Sequence, residues 1–277
     1  MTPERPFTTT IPGLQKRKHG GPPIAMVTAY DAFHGRLLRK SEIDIALVGD
    51  SLGMVVQGNA STLSVTVDDI LYHTRMVSRG LMGTSLLVSD MPFLSYQPSV
   101  ETAIREAGRL IKEGGAQAVK LEGGEAFAET IRRLTLSMIP VMGHIGLLPQ
   151  RVHSMGGYKV QGRDKEAQDR LMNDARSLVQ AGIFALVIEG IPWELARRIT
   201  EEISVPTIGI GAGPYTNGQV LVLHDLLGWS EAETLPRFVR RFGQAEEAAL
   251  DSLRRFRLEV SGTTYPSLEE SYSETEQ

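Results

Sequence analysis

Apolar positions along the chain fall in short, nearly continuous runs, each followed by a polar or glycine-rich tip and then an amphipathic stretch. The runs are Ile24–Thr28, Ile45–Val48, Leu86–Val88, Ala118–Leu121, Ile139–Met142, Phe184–Ile188, Thr207–Ile210 and Val220–Leu223. They are too short for helices, and unbroken apolarity is how strands of a parallel sheet buried on both faces read. The stretches between them carry helical signals. Thr66-Val67-Asp68-Asp69 reads as a capping box, after which Ile70, Thr74, Val77 and Leu81 share one face. Val100, Ala103, Ile104, Ala107, Leu110 and Ile111 form a second stripe, closed by Gly114-Gly115. Ala167, Leu171, Ala175 and Leu178 form a third, and Pro192 suits the first turn of a fourth with Leu195, Ala196, Ile199 and Ile203 facing inward. Eight strands alternating with helices predict a (β/α)8 TIM barrel. A doubly wound open sheet is the alternative, since periodicity does not report closure.

Three segments lie outside this rhythm. Residues 1–22, rich in Pro, Thr and Gly, read as an N-terminal arm. From Leu235, positions Phe238, Val239, Phe242, Ala249, Leu253 and Phe256 describe a long amphipathic stretch, loosened at Gly243, that completes the barrel or covers a neighbouring subunit. The acidic tail 267–277 is expected to be disordered, leaving 23–266 as one catalytic domain that includes the C-terminal helices.

The length of 277 residues matches the ~250 typical of one such barrel, although it also allows two smaller domains. A formal net charge of −4 supplies no field to recruit nucleic acid or an anionic membrane, so neither is expected as a partner. The basic cluster Lys16-Arg17-Lys18-His19 reads as a solvated loop. The absence of cysteine excludes disulfides, thiolate metal sites and a cysteine nucleophile. With no long apolar run and no secretory pattern at the N-terminus, a cytoplasmic protein is expected.

Parallel barrels carry their chemistry at the C-terminal ends of the strands. Asp50, Asp90 and Glu122 each end a run, roughly one βα unit apart, so three carboxylates are expected to converge at the mouth. One such acid reads best as a helix cap; three together call for a cation, because clustered anions are unfavourable without one. All-oxygen ligation suits Mg²⁺. Lys120 lies two residues before Glu122 and so shares its face. It has two readings, a structural salt bridge or a clamp for a substrate carboxylate or enolate oxygen.

The segment Gly182–Gly190 repeats the pattern of Gly115–Gly123, with Val187 in place of Lys120. Glu189 therefore ends a wholly apolar strand, where desolvation raises its pKa and favours proton transfer. A cap for the helix at Pro192 is an equally weighted reading. His144 either binds a substrate oxygen or is structural. Gly209–Gly213 reads as a tight loop, because its spacing does not fit a dinucleotide fingerprint. The polar loop Gly156–Gly162 suits a lid without establishing one.

At these residues the sequence resembles the ketopantoate hydroxymethyltransferases (3-methyl-2-oxobutanoate hydroxymethyltransferases), from about Pro23 to Leu227 and more weakly to Pro266. The blocks that carry the resemblance are Val27–Asp31, Val48–Met54, Asp69–Thr74, Ser89–Phe93, Ala118–Gly124, Pro140–His144, Gly156–Gly162 and Pro206–Gly213. The resemblance implies a barrel of the phosphoenolpyruvate/pyruvate-binding superfamily, with Mg²⁺ held through Asp50, Asp90 and Glu122. It also implies 2-oxo acid binding by Asp50, Ser51, Asp90 and Lys120, and Glu189 as the base. It further implies 5,10-methylenetetrahydrofolate as one-carbon donor in pantothenate and coenzyme A synthesis, and large homo-oligomers, typically decamers. One departure stands out: relatives commonly read Glu-Cys-Val-Pro where this chain has Glu189-Gly190-Ile191-Pro192. Two other functions stand beside this one. A carbon–carbon lyase resembling the isocitrate lyases would use a cysteine-bearing loop, which this chain lacks. A non-catalytic metabolite-binding barrel would leave the acid–lysine constellation without a purpose.

Overall fold

The computed structural model describes residues 8–229 and 235–273. The chain divides into two compact units, Met1–Leu223 and His224–Gln277. In the first, eight parallel strands pair in chain order, and the last returns to the first, so the sheet is a closed barrel rather than an open one. They are β1 (Ile24–Thr28), β2 (Ile45–Val48), β3 (Leu86–Asp90), β4 (Ala118–Glu122), β5 (Val141–Gly146), β6 (Ala185–Glu189), β7 (Thr207–Ile210) and β8 (Gly218–Leu221).

Helices fill the connections. α1 (Ile11–Lys16) precedes β1 and α2 (Ala32–Lys40) follows it; α3 (Leu52–Val55) and α4 (Val67–Leu81) follow β2. α5 (Val100–Lys112) and α6 (Ala128–Leu136) follow β3 and β4, and α7 (Val152–Met155) and α8 (Lys165–Gln180) follow β5. α9 (Trp193–Glu202) follows β6, α10 (Leu223–Leu227) follows β8, and α11 (Ala245–Ser261) lies in the second unit. The capping box at Thr66 forms as expected: its hydroxyl accepts from Asp69 N at 3.2 Å while Asp69 Oδ2 accepts from Thr66 N at 2.8 Å. The expected inner faces of α4 and α9 are buried.

Two strands start two residues away from the starts of their apolar runs. β5 begins at Val141 and extends through Gly143, His144 and Gly146, polar or small positions that a hydrophobicity pattern does not register. β8 begins two residues before its expected start because Gly218 pairs with both Ile24 and Ile208. A Cβ on Gly218 would lie 2.5 Å from the Ile24 carbonyl oxygen, so only glycine closes the barrel there.

The lead-in arm, where described, is built into the barrel. Leu14 on α1 is buried within the same apolar cluster as Met26, Leu47, Val187 and Val220. The solvated-loop reading of the basic cluster is corrected at Arg17 and Lys18. Arg17 donates to both Asp44 oxygens, at 2.6 and 3.1 Å, and to the carbonyls of Pro22 and Pro23. Lys18 donates to the Thr200 carbonyl and to Asn217 Oδ1. Carbonyls outside the strand ladder need donors, and these two side chains supply them.

In the second unit the helix starts only at Ala245, so Phe238 and Phe242 lie outside it. None of the α11 residues is buried. Leu268–Glu270 form one 3₁₀ turn; the rest of the expected tail, from residue 274, lies outside the described residues.

Candidate active site

The carboxylates at the strand tips follow from side-chain alternation. Along β4, Lys120 and Glu122 face the barrel interior while Leu121 faces the helices, and register carries the pattern sideways: Asp90 pairs with Lys120, and Glu122 with His144. Asp50, Ser51, Asp90, Lys120, Glu122, His144 and Glu189 all line one cavity of about 110 Å³ at the mouth. Its remaining wall is apolar, with Val187, Ile210 and Val220 among the lining residues. So small a space takes a metabolite of a few carbons rather than a large ligand. A larger hollow of about 570 Å³ on the outer faces of α8 and α9 holds groups already paired, such as Arg176 with Glu202.

The helix-cap readings do not hold. Glu189 does not cap α9, whose start at Pro192 has no side-chain cap, and α5 is capped by Ser99 rather than Asp90. Glu122 and Asp90 instead accept from groups across the mouth: Asp90 Oδ2 from Asp50 N at 2.9 Å, and Glu122 Oε2 from Gln150 N at 3.1 Å.

Four carboxylates here face one ammonium. Lys120 Nζ lies 2.8 Å from Asp90 Oδ1. Burial alone would lower the lysine; the charges of Asp90, Glu122 and Asp50 outweigh it and hold the ammonium above its ordinary value. The acids answer in the opposite sense. Burial, then the charge of Asp90, pushes Asp50 up to about 7. Burial and the charge of Asp50 push Glu122 well up. Glu189 is pushed up to about 7 by burial, against the pull of Lys120. His144 is held well below its usual range by burial and by Lys120, so its ring is neutral. Its Nδ1 lies 3.4 Å from Lys120 Nζ, which can only donate, so the ring proton sits on Nε2. That Nε2 is buried without a hydrogen-bond partner; Glu189 Oε2 lies 3.2 Å away, off the bonding direction.

Among the described residues no three His, Cys, Asp or Glu side chains stand in a ready metal geometry. Their oxygens are held by Lys120, by Asp50 N and by Gln150 instead. The donor set nevertheless fits a hard divalent cation: buried carboxylate oxygens with a surplus of negative charge and no thiolate.

Three residues at the site were not foreseen. Tyr30 is buried and its hydroxyl lies 2.9 Å from Ser51 Oγ. Tyr96 donates to the Glu122 carbonyl at 2.8 Å, and Gln150 donates to Asp50 Oδ2 at 2.9 Å. The last contact spans 100 positions, and nothing local in the sequence marks it. Tyr158, on the loop Gly156–Gly162, is half-exposed, and burial together with the charges of Asp50, Glu189 and Glu122 raises its hydroxyl. The loop therefore lies within the field of the site.

The family model for ketopantoate hydroxymethyltransferase matches residues 8–268. The chain belongs to the ketopantoate hydroxymethyltransferase family. Relatives named 3-methyl-2-oxobutanoate hydroxymethyltransferase agree with this. The one from Anaeromyxobacter sp. (strain K) is 55% identical over 93% of this chain and 85% of its own length. That from Pelobacter propionicus is 52% identical over 95% of this chain and 97% of its own. Among solved structures, phosphonopyruvate hydrolase in complex with oxalate and Mg²⁺ has a TM-score of 0.61 at 12% identity, covering 95% of this chain and 93% of its own. 2,3-Dimethylmalate lyase, a PEP mutase/isocitrate lyase superfamily member, has a TM-score of 0.59 at 14% identity, over 97% and 90%. At such identities the likeness is one of fold, and the fold is the one the sequence implied.

Proposed function

We propose that this chain transfers a hydroxymethyl group from 5,10-methylenetetrahydrofolate to 3-methyl-2-oxobutanoate, giving 2-dehydropantoate for pantothenate and coenzyme A biosynthesis. Membership of the family supports the reaction. The observation that carries it to these residues is one small cavity holding four carboxylates, a lysine and a neutral histidine beside an apolar wall. The apolar wall suits the branched end of the 2-oxo acid, and the charged side suits its oxygens.

Asp50, Asp90 and Glu122 would hold Mg²⁺. Bound there, it supplies positive charge for the negative charge that develops on the keto oxygen. Lys120 stabilises the same oxyanion, and Ser51, Asp50 and Asp90 orient the acid. The unpartnered Nε2–H of His144 is available to a substrate oxygen. Glu189, whose carboxyl is pushed up to about 7 by burial, removes the C3 proton. Water frees the one-carbon unit from the folate at the formaldehyde level, breaking both of its C–N bonds and returning tetrahydrofolate; the C3 carbanion adds to that carbonyl carbon, and the alkoxide so formed takes the proton held by Glu189 to become the hydroxyl. The loop Gly156–Gly162, whose Tyr158 feels the charges of Asp50, Glu189 and Glu122, suits a lid over the reacting groups.

The exposed apolar face of α11, with Leu253 and Phe256 among its residues, supports self-association, and the family points to a decamer. Among the described residues no helix is long and apolar enough to cross a membrane, and a cytoplasmic location is part of the proposal. The deciding experiment incubates the pure protein with Mg²⁺, 3-methyl-2-oxobutanoate and 5,10-methylenetetrahydrofolate. Formation of ketopantoate that requires the folate is expected. No product with folded protein would refute the reading.

A further inference from the structure

We propose that Gln150 is a positioning residue for the cation site, tethering two of its three carboxylates from a loop that contributes no acid. The inference rests on the reading that Asp50, Asp90 and Glu122 hold a divalent cation. Gln150 follows β5 and is buried, 6% exposed. Its side-chain Nε2 donates to Asp50 Oδ2 at 2.9 Å and to the Met91 carbonyl at 3.1 Å. Its backbone N–H donates to Glu122 Oε2 at 3.1 Å. One residue thus joins the tips of β2, β3, β4 and β5 and fixes one oxygen of each of two carboxylates.

The direction of the amide is determined by its surroundings. Gln150 Oε1 accepts from Gln97 Nε2 at 3.2 Å and lies at the same distance from the Tyr96 hydroxyl, whose single proton goes to the Glu122 carbonyl at 2.8 Å. Turned over, the amide would set its own N–H groups against those of Gln97. It would also set its oxygen against the Asp50 carboxylate and the Met91 carbonyl, so that acceptor meets acceptor there and donor meets donor at Gln97. The Gln97 contact therefore locks the donor face toward Asp50, and rotation of that carboxylate is restrained before any cation arrives. Partners of this kind hold ligands in register, and removing one typically weakens metal affinity by roughly 10–100-fold.

The test compares full-length wild type, Gln150→Met and Gln97→Met by calorimetric titration with Mg²⁺, alongside thermal melts. Methionine keeps length and bulk but has no donor. The expected result is a Mg²⁺ dissociation constant raised roughly 10–100-fold in Gln150→Met and by a smaller factor in Gln97→Met, with unchanged stoichiometry per folded chain. A Gln150→Met protein that melts earlier yet binds Mg²⁺ as tightly as wild type would show a structural role and overturn the proposal. Should Gln150→Met not fold, Gln97→Met decides, because its side chain is only partly buried; wild-type affinity there overturns it too. If wild type itself binds no Mg²⁺, the reading of the three acids falls, and this proposal falls with it. If only the variants match wild type, the acids stand and Gln150 alone is rejected.

Discussion

Glu189→Gln exchanges a buried carboxyl for a neutral amide of nearly the same shape, and its effect on stability has a definite sign. Burial pushes the Glu189 carboxyl up to about 7 from an ordinary 4.5. The folded chain therefore holds this proton more tightly than the unfolded chain, and between these values it is the folded state that binds more protons. Stability from this group is present in full below about pH 4.5 and is lost as the pH rises through about 7. At pH 8 the loss amounts to ~3 kcal/mol. An amide does not ionise and escapes it, so the variant should melt higher than wild type by roughly 5–10 °C at pH 8. Melts followed by circular dichroism from pH 4.5 to 8.5, without ligands, would show the difference shrinking toward the acid end. The same variant should exchange the C3 hydrogen of 3-methyl-2-oxobutanoate in D₂O roughly 10²–10⁴-fold more slowly, read by NMR with Mg²⁺ and no folate. A melting temperature at pH 8 equal to or below wild type would refute the burial argument. Undiminished exchange would remove Glu189 from the chemistry.

Other substitutions separate the remaining roles. Lys120→Met leaves the buried Asp90 without its cation; a stability loss of ~3–5 kcal/mol in denaturant titrations and turnover reduced roughly 100-fold are both expected. A fall in stability with normal turnover per folded molecule would make Lys120 purely structural. Asp50→Asn and Asp90→Asn should weaken Mg²⁺ and 2-oxo acid binding together in calorimetry, because one site serves both; loss of only one would divide the site. Arg17→Ala removes the paired donors to Asp44 and should lower stability by ~2–4 kcal/mol while leaving the KM for the 2-oxo acid unchanged.

The barrel was legible in the sequence because strands covered on both faces must be apolar, and eight such runs separated by amphipathic stretches leave few alternatives. Closure was not legible. It depends on the pairing of Gly218 with Ile24, a contact between a glycine and a strand nearly two hundred residues earlier that no periodicity records. The acids of the site could be read because alternation fixes the face of each strand residue: once Glu122 faces inward, so does Lys120. Glu189 was legible through what it lacks, since Val187 replaces the lysine that would have offset its burial. Tyr30, Tyr96 and Gln150 were not legible because each lies beyond the end of its strand, where no alternation fixes which way a side chain points. Arg17 and Lys18 were misread for a related reason. A basic run normally stays in water, and only the fold reveals the carbonyls and the carboxylate that draw these two inward.

Leu14 has a consequence at the opposite end of the barrel. Met26, Leu47, Val187 and Val220 lie in one apolar cluster with Leu14, and the same four residues line the cavity of the acids. The cluster is thus an apolar stopper, to which a helix outside the strand sequence contributes Leu14. The raised carboxyls of Asp50, Glu122 and Glu189 owe their first cause to exclusion from water, and that exclusion depends on both ends of the strands. Shortening Leu14 to Ala removes packing in the stopper, at ~2–5 kcal/mol. Water admitted there would relax the acids toward their ordinary values without any change to a residue at the mouth. The proton affinity of the active site is in this sense a property of the whole barrel column, set in part by the segment before the first strand.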